Sequence, residues 1–133
     1  MYLPDGTAFA GSSEPLPTNV RPLAVGWLDS SHPYSVGSVD DEFVARLFEA
    51  CRSHATARTR GWHGCPFCSS PVPTIVTQGD ETLAVADAEI RVVAEDGTWL
   101  VAPTLVLHYV TAHAYQPPRE FIEAVTSGRF APS

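Results

Sequence analysis

The sequence contains no lysine, and arginine supplies all eight of its permanently cationic side chains. Fifteen acidic side chains give a formal net charge of -7 at pH 7 and an isoelectric point near 5.0. Because proteins bind nucleic acids largely by neutralising phosphates with lysine and arginine, this balance argues against a broad nucleic-acid-binding face. We therefore expect no nucleic-acid partner, and we interpret the one basic cluster as a solvated loop; it comprises Arg52, His54, Arg58 and Arg60.

Long apolar runs are also missing. No stretch approaches the ~18 consecutive apolar residues that a membrane helix needs, and the first residues lack the basic and apolar regions of a secretory signal. We accordingly expect a cytoplasmic protein with no membrane partner. Cysteine is scarce, with only three residues. In a reducing compartment an odd number of cysteines favours metal ligands or buried thiols over a disulfide framework.

The remaining composition is that of one small globular domain. A chain of 133 residues with 44% hydrophobic residues can bury a modest core, while twelve prolines and nine glycines indicate many loops. Residues 1–21 are rich in proline, glycine, serine and threonine without any period, which predicts an extended, partly mobile arm. Its Tyr2, Leu3 and Phe9 could still dock on the domain. Residues 22–133 are predicted to form a single zinc-binding α+β domain.

The clearest helix in the sequence begins near residue 38. Ser38 is a good N-cap, and the acids that follow it complement the helix dipole. Five apolar positions then fall on one helical stripe: Phe43, Val44, Leu47, Phe48 and Cys51. Since Cys51 lies on this stripe, we predict that it is a buried and inert thiol.

Two further helices are predicted near the C-terminus. The second has Thr104 as its N-cap and ends at Gln116-Pro117-Pro118, because a residue before proline is forced out of the helical region. Pro118 suits the first turn of the third, which Ser127-Gly128 closes. Short strands separated by turn residues complete a small antiparallel sheet or hairpin arrangement, and they are predicted at 23–28, 74–77, 82–85, 88–93 and 98–101.

Four residues carry the strongest chemical signal in the chain. Cys65 and Cys68 flank Pro66-Phe67 on a tight turn, and His108 and His113 follow about forty residues later. The pattern C-x2-C followed by H-x4-H is the ligand set of a closed tetrahedral zinc site. Two ligands from a turn and two from a helix is the order of treble-clef and finger-like modules. We therefore predict one Zn²⁺ ion per chain.

Three alternatives to this site remain open. His63, next to the cysteines, could replace His108 or His113 and leave an open metal position for a water molecule. The sequence Cys-Pro-Phe-Cys is also found in redox-active proteins, although the prolines at 71 and 73 argue against the helix that such a thiolate needs. Finally, the histidines could be ordinary half-buried side chains that bind no metal.

Short motifs occur along most of the chain: Gly26-Trp27-Leu28-Asp29, His32-Pro33, Arg60 to Cys68, Glu89-Ile90-Arg91-Val92, Ala102-Pro103, His108 to His113, Tyr115 to Pro118 and Phe121-Ile122. With these motifs the chain resembles an uncharacterised family of small actinobacterial proteins that share a domain of unknown function. The resemblance spans most of the chain and implies no known activity. The family motif includes His63, so a metal site with an open position for water remains an alternative.

The sequence shows no set of nucleophile, base and orienting residue. We therefore predict a small zinc-stabilised module that binds another protein, such as an immunity or adaptor protein of a bacterial system. The segment 80–96 contains six acids and one arginine, which suits a basic partner. The alternative is a small zinc-dependent hydrolase with an open metal site, in which Glu89, Asp29 or His63 would supply the base.

Overall fold

The computed structural model describes residues 2–9, 20–56, 64–68, 74–85 and 88–131. Within these ranges the chain forms three helices and two small sheets, which confirms the predicted small α+β class. No helix in the described ranges has the length and hydropathy needed to cross a membrane. The elements in chain order are β1 (Leu23–Ala24), α1 (Asp41–Ser53), β2 (Ile75–Gln78), β3 (Glu81–Ala84), β4 (Glu89–Val93), β5 (Trp99–Pro103), α2 (Val106–His113) and α3 (Arg119–Thr126).

Four of the predicted strands pair as two antiparallel hairpins. β2 pairs antiparallel with β3, and β4 pairs antiparallel with β5. β1 adds to β5 in the parallel direction, with Leu23 opposite Leu100, so the three-stranded sheet is mixed and has the order β1-β5-β4. The predicted strand 23–28 is wrong in its second half. Gly26 adopts a φ of 76°, and a positive φ ends the extended conformation.

The first helix begins later than the sequence predicts. Its N-cap is Asp40 rather than Ser38, and no side chain caps it. The residues before it are held in an extended segment: Gly37 N–H donates to Ala114 O at 3.0 Å, and the carbonyl of Ser38 accepts from the Gln116 amide at 3.2 Å. Because Ser38 takes part in these hydrogen bonds with the segment that follows α2, α1 begins only beyond Ser38, at Asp41.

The apolar stripe of α1 builds the core together with α3 and the three-stranded sheet. Phe43 and Phe121 meet edge to face with their ring centroids 6.3 Å apart, and Ile90 of β4 is fully buried. Cys51 is 3% exposed, and burial raises the pKa of its thiol to about 12. The reactive thiolate is therefore scarce at neutral pH, in agreement with the prediction of a buried, inert cysteine.

The N-terminal residues pack along β1 and its continuation. Leu3 N–H donates to Trp27 O at 3.0 Å, and Phe9 N–H donates to Pro22 O at 2.9 Å. Phe9 is 7% exposed and its ring lies 5.2 Å from that of Trp27. Residues 2–9 are thus joined to the sheet by backbone and side chain. Residues 10–19 of the predicted arm lie outside the described residues.

Candidate metal centre

The two cysteines of the site are positioned by a single tight turn. Cys68 N–H donates to Cys65 O at 3.3 Å, which closes the turn around Pro66-Phe67. Phe67 N–H donates to the Cys65 sulfur at 3.4 Å. A backbone N–H aimed at sulfur favours the thiolate form that binds metals. The turn therefore places both thiols on one side and supplies one of them with a hydrogen bond.

The two histidines come from α2, which begins one residue later than the sequence predicts. Its N-cap is Leu105 rather than Thr104. The N–H and the hydroxyl of Thr104 both donate to Ala88 O, at 2.9 and 3.2 Å. Because these bonds tie Thr104 to the residue just before β4, its side chain is not available to cap the helix.

The end of α2 explains how an H-x4-H pair can converge. Five steps of about 100° place two residues about 140° apart around a regular α-helix. Here the N–H of Ala114 reaches back to Tyr109 O, an i to i+5 bond that widens the last turn, and Tyr115 N–H bonds to the same carbonyl at 3.1 Å. The hydroxyl of Thr111 also bonds to Leu107 O at 2.9 Å, a contact that bends helices. His113 is the last helical residue, and Ala114 follows in the left-handed conformation with a φ of 54°.

As a result, the four predicted ligands meet at one point. The Nε2 atoms of His108 and His113 lie 3.2 Å apart, and the Cys68 sulfur lies 3.3 and 3.2 Å from them respectively. The Cys65 sulfur lies 3.4 Å from His113 Nε2. All four donor atoms fall within 4.8 Å of one another. Cys65, Cys68, His108 and His113 are therefore positioned to bind a metal ion.

The electrostatics of the site favour a bound cation. Burial raises the pKa of the Cys65 thiol to about 11, although the Phe67 N–H opposes this shift. Burial and the neighbouring His113 lower the pKa of His108, which favours the neutral imidazole that ligates metals. Two thiolates this close repel each other in a half-buried site. A cation between them removes the repulsion and replaces the two protons.

The comparison with protein families agrees with the expected resemblance to a domain of unknown function. A family model described as "Domain of unknown function (DUF7919)" matches residues 1–126. The chain belongs to this family. The match includes the cysteine turn and the whole of α2. No curated protein and no solved structure matches the chain.

Sequence reasoning missed the tyrosine that supports the centre of this DUF7919 chain. Tyr34 donates a hydrogen bond from its hydroxyl to His113 O at 2.9 Å, across 79 residues of sequence. Its ring lies 5.2 Å from Phe67, which also contacts Tyr109 and His113. Tyr34 thus touches both the cysteine turn and the end of α2. Nothing in the local sequence around it signals this role.

The structure describes some of the residues on which the alternatives to this metal site depend. His63 and the prolines at 71 and 73 lie outside the described residues. A redox function requires a cysteine whose pKa is lowered by the N-terminus of a helix, so that its thiolate is present at neutral pH. Residues 64–68 instead form a turn with no helix among them, and the pKa of Cys65 is raised. Both observations disfavour redox chemistry at this pair.

Proposed function

We propose that this chain is a small protein-binding module whose fold is stabilised by one structural Zn²⁺ ion. Cys65, Cys68, His108 and His113 are its four ligands. The ion contributes stability and takes no part in a reaction. The proposed site is finger-like, with two ligands from a tight turn and two from the helix α2.

The distances among the four donor atoms support this proposal. With Zn–S bonds of about 2.3 Å and Zn–N bonds of about 2.0–2.1 Å, a tetrahedral site places sulfur and nitrogen about 3.5 Å apart and two nitrogens about 3.3 Å apart. Three of the four sulfur–nitrogen distances are 3.2, 3.3 and 3.4 Å, and the nitrogen–nitrogen distance is 3.2 Å. These distances are close to those around a four-coordinate zinc ion, and all four donor atoms lie within 4.8 Å of one another.

A closed ligand set favours a structural role over catalysis. Four protein donors fill a tetrahedral zinc ion and leave no position for a nucleophilic water molecule. Two of the bases considered for a hydrolase also have other partners. Glu89 is 4% exposed and pairs with Arg91 at 3.1 Å, and the carboxylate of Asp29 lies 2.7 Å from the His32 ring.

The proposed partner is another protein in the cytoplasm, and this chain would act as an adaptor or immunity protein of a bacterial system. The excess negative charge favours a basic partner. In the described part of the 80–96 segment, Glu81 pairs with Arg52 at 2.9 Å and Glu89 is buried. The exposed acids of the described part that form no ion pair within 4.0 Å are Asp80, Glu95 and Asp96. This segment is therefore a weaker candidate surface than its composition indicates.

Native mass spectrometry of the untagged protein tests the zinc site. We expect one zinc ion per chain, because the four donors form one cluster. Any one of four alanine substitutions, at Cys65, Cys68, His108 or His113, should lower the zinc content well below one ion per chain. A site with three ligands has a lower affinity and admits water.

The controls are changes at residues of the same types. Cys51→Ala and His54→Ala should retain one zinc per chain, because neither residue is in the cluster. His63→Ala should also retain it. Zinc that is lost in His63→Ala but kept in His108→Ala or His113→Ala would contradict the closed site and favour the hydrolase.

A further inference from the structure

A groove of about 290 Å³ lies between the N-terminal residues and the loop that follows β1. Its lining includes two tyrosines, two prolines and two other polar residues: Tyr2, Tyr34, Pro4, Pro33, Asp5 and Ser35. This combination of tyrosines, prolines and one carboxylate differs from the aliphatic core. The three polar or aromatic side chains that dominate it are each held by a specific contact.

The first of these side chains is Tyr2. Its ring stacks on that of His32, with centroids 3.9 Å apart and planes within 2° of parallel. His32 is in turn fixed by Asp29, whose carboxylate lies 2.7 Å from its Nδ1 atom. These contacts hold the Tyr2 ring in one orientation in the lining of the groove.

The second side chain is Tyr34. Its hydroxyl donates to His113 O and its ring packs on Phe67, so it is anchored on the candidate metal centre. One lining residue of the groove is therefore hydrogen-bonded to a candidate metal ligand. Any loss of order at the metal centre should reach the groove through this side chain.

The third side chain is Asp5, and it supplies charge. Its two carboxylate oxygens accept hydrogen bonds from Gly26 N–H at 2.9 Å and from the Tyr115 hydroxyl at 2.7 Å. Tyr115 is fully buried, whereas Asp5 is exposed. A carboxylate can accept about four hydrogen bonds, so two positions on Asp5 remain for a ligand. The anion is thus fixed in orientation and open to solvent.

We propose that this groove binds an extended, proline-containing peptide of a partner protein, with one arginine of the peptide pairing with Asp5. Grooves lined by aromatic rings and prolines recognise the polyproline II conformation, which such peptides adopt before binding. Arginine suits the site because its planar guanidinium stacks on tyrosine and forms bidentate bonds with a carboxylate. The net charge of -7 attracts a cationic peptide. The inference deepens the proposed function and rests on its protein-binding half.

Fluorescence polarisation with synthetic peptides tests this proposal. The probes are labelled decapeptides that carry one arginine at a varied position in a proline–leucine background. At least one member should bind saturably, and replacing its arginine by alanine should weaken binding by about three- to tenfold. Affinity should also fall as salt is raised, because the ion pair is exposed.

Variants of the protein locate the binding. Asp5→Asn should weaken binding about as much as loss of the peptide's arginine, whereas Glu120→Gln, which removes an exposed charge from α3, should leave it unchanged. Tyr2→Ala should weaken it more than about fivefold, and Tyr2→Phe should restore it, because the ring supplies the contact. Circular dichroism on each variant separates lost binding from lost folding.

Two outcomes would overturn the proposal. One is that no peptide of the series binds saturably up to millimolar concentration. The other is that binding occurs but is equal in the parent protein, Asp5→Asn and Tyr2→Ala. Zinc content is measured on the same samples, so that absent peptide binding with one zinc per chain rejects the groove alone. Absent zinc rejects the metal half of the proposed function.

Discussion

Exhaustive treatment with a metal chelator is expected to unfold the C-terminal half of this protein. A structural zinc site contributes on the order of 10 kcal/mol to folding, and the whole free energy of unfolding of a small domain is about 5–15 kcal/mol. The contacts between cysteine and histidine ligands join residues separated by 40 to 48 positions in the sequence. Removing the proposed ion leaves partly buried thiols and imidazoles that no metal bond stabilises.

Near-ultraviolet circular dichroism measures this effect, because Tyr34, Phe67 and Tyr109 pack around the centre. We expect the signal to collapse on chelation and to return when one equivalent of Zn²⁺ is added. Cys68→Ala should resemble the chelated protein before any chelator is present, whereas Cys51→Ala should respond as the parent does. An unchanged spectrum after complete metal removal would be incompatible with a stabilising ion.

Gly26→Ala is expected to destabilise the fold by about 2–5 kcal/mol. The φ of Gly26 is 76°, a conformation that costs other residues about 1–2 kcal/mol. An added Cβ would also lie 2.9 Å from Val106 Cγ2, and overpacking of this kind costs about 1–3 kcal/mol. Val106 is fully buried at the start of α2 and its branched side chain has little freedom to move.

Gly79→Ala is the matched control for this change. Gly79 has a φ of 60° in the β2–β3 turn, and an added Cβ there would meet no atom within 4 Å. Gly79→Ala should therefore lower the free energy of unfolding only by the conformational cost of the positive φ, about 1–2 kcal/mol. Urea denaturation of both variants measures the difference. Equal losses would mean that the close approach of Gly26 to Val106 contributes nothing, and that α2 is not held tightly against the residue at 26.

Local patterns account for the parts of the fold that the sequence predicts. The stripe from Phe43 to Cys51 and the strands at 88–93 and 98–101 are recognisable because helix period and strand composition act within a few residues. The parallel pairing of Leu23 with Leu100 joins distant segments, and no local signal encodes it. The same applies to the start of α1, which tertiary pairing at Ser38 shifts to Asp41.

The candidate site divides in the same way. Cys65, Cys68, His108 and His113 could be predicted because metal ligands follow characteristic spacings. The supporting contacts could not. Tyr34 reaches His113 across 79 residues, and Asp5 reaches Tyr115 across 110. The convergence of His108 and His113 also depends on the widened last turn of α2, which a regular helix would not provide.

X-ray absorption spectroscopy at the zinc edge of the purified protein distinguishes a closed four-ligand site from an open one. We predict a first shell of two sulfur atoms at about 2.3 Å and two imidazole nitrogens at about 2.0–2.1 Å. Cys65→Ala should reduce the sulfur count to one in any zinc that remains bound. A shell with two sulfurs, one nitrogen and one water oxygen, or a protein that binds no zinc, would contradict a closed structural site.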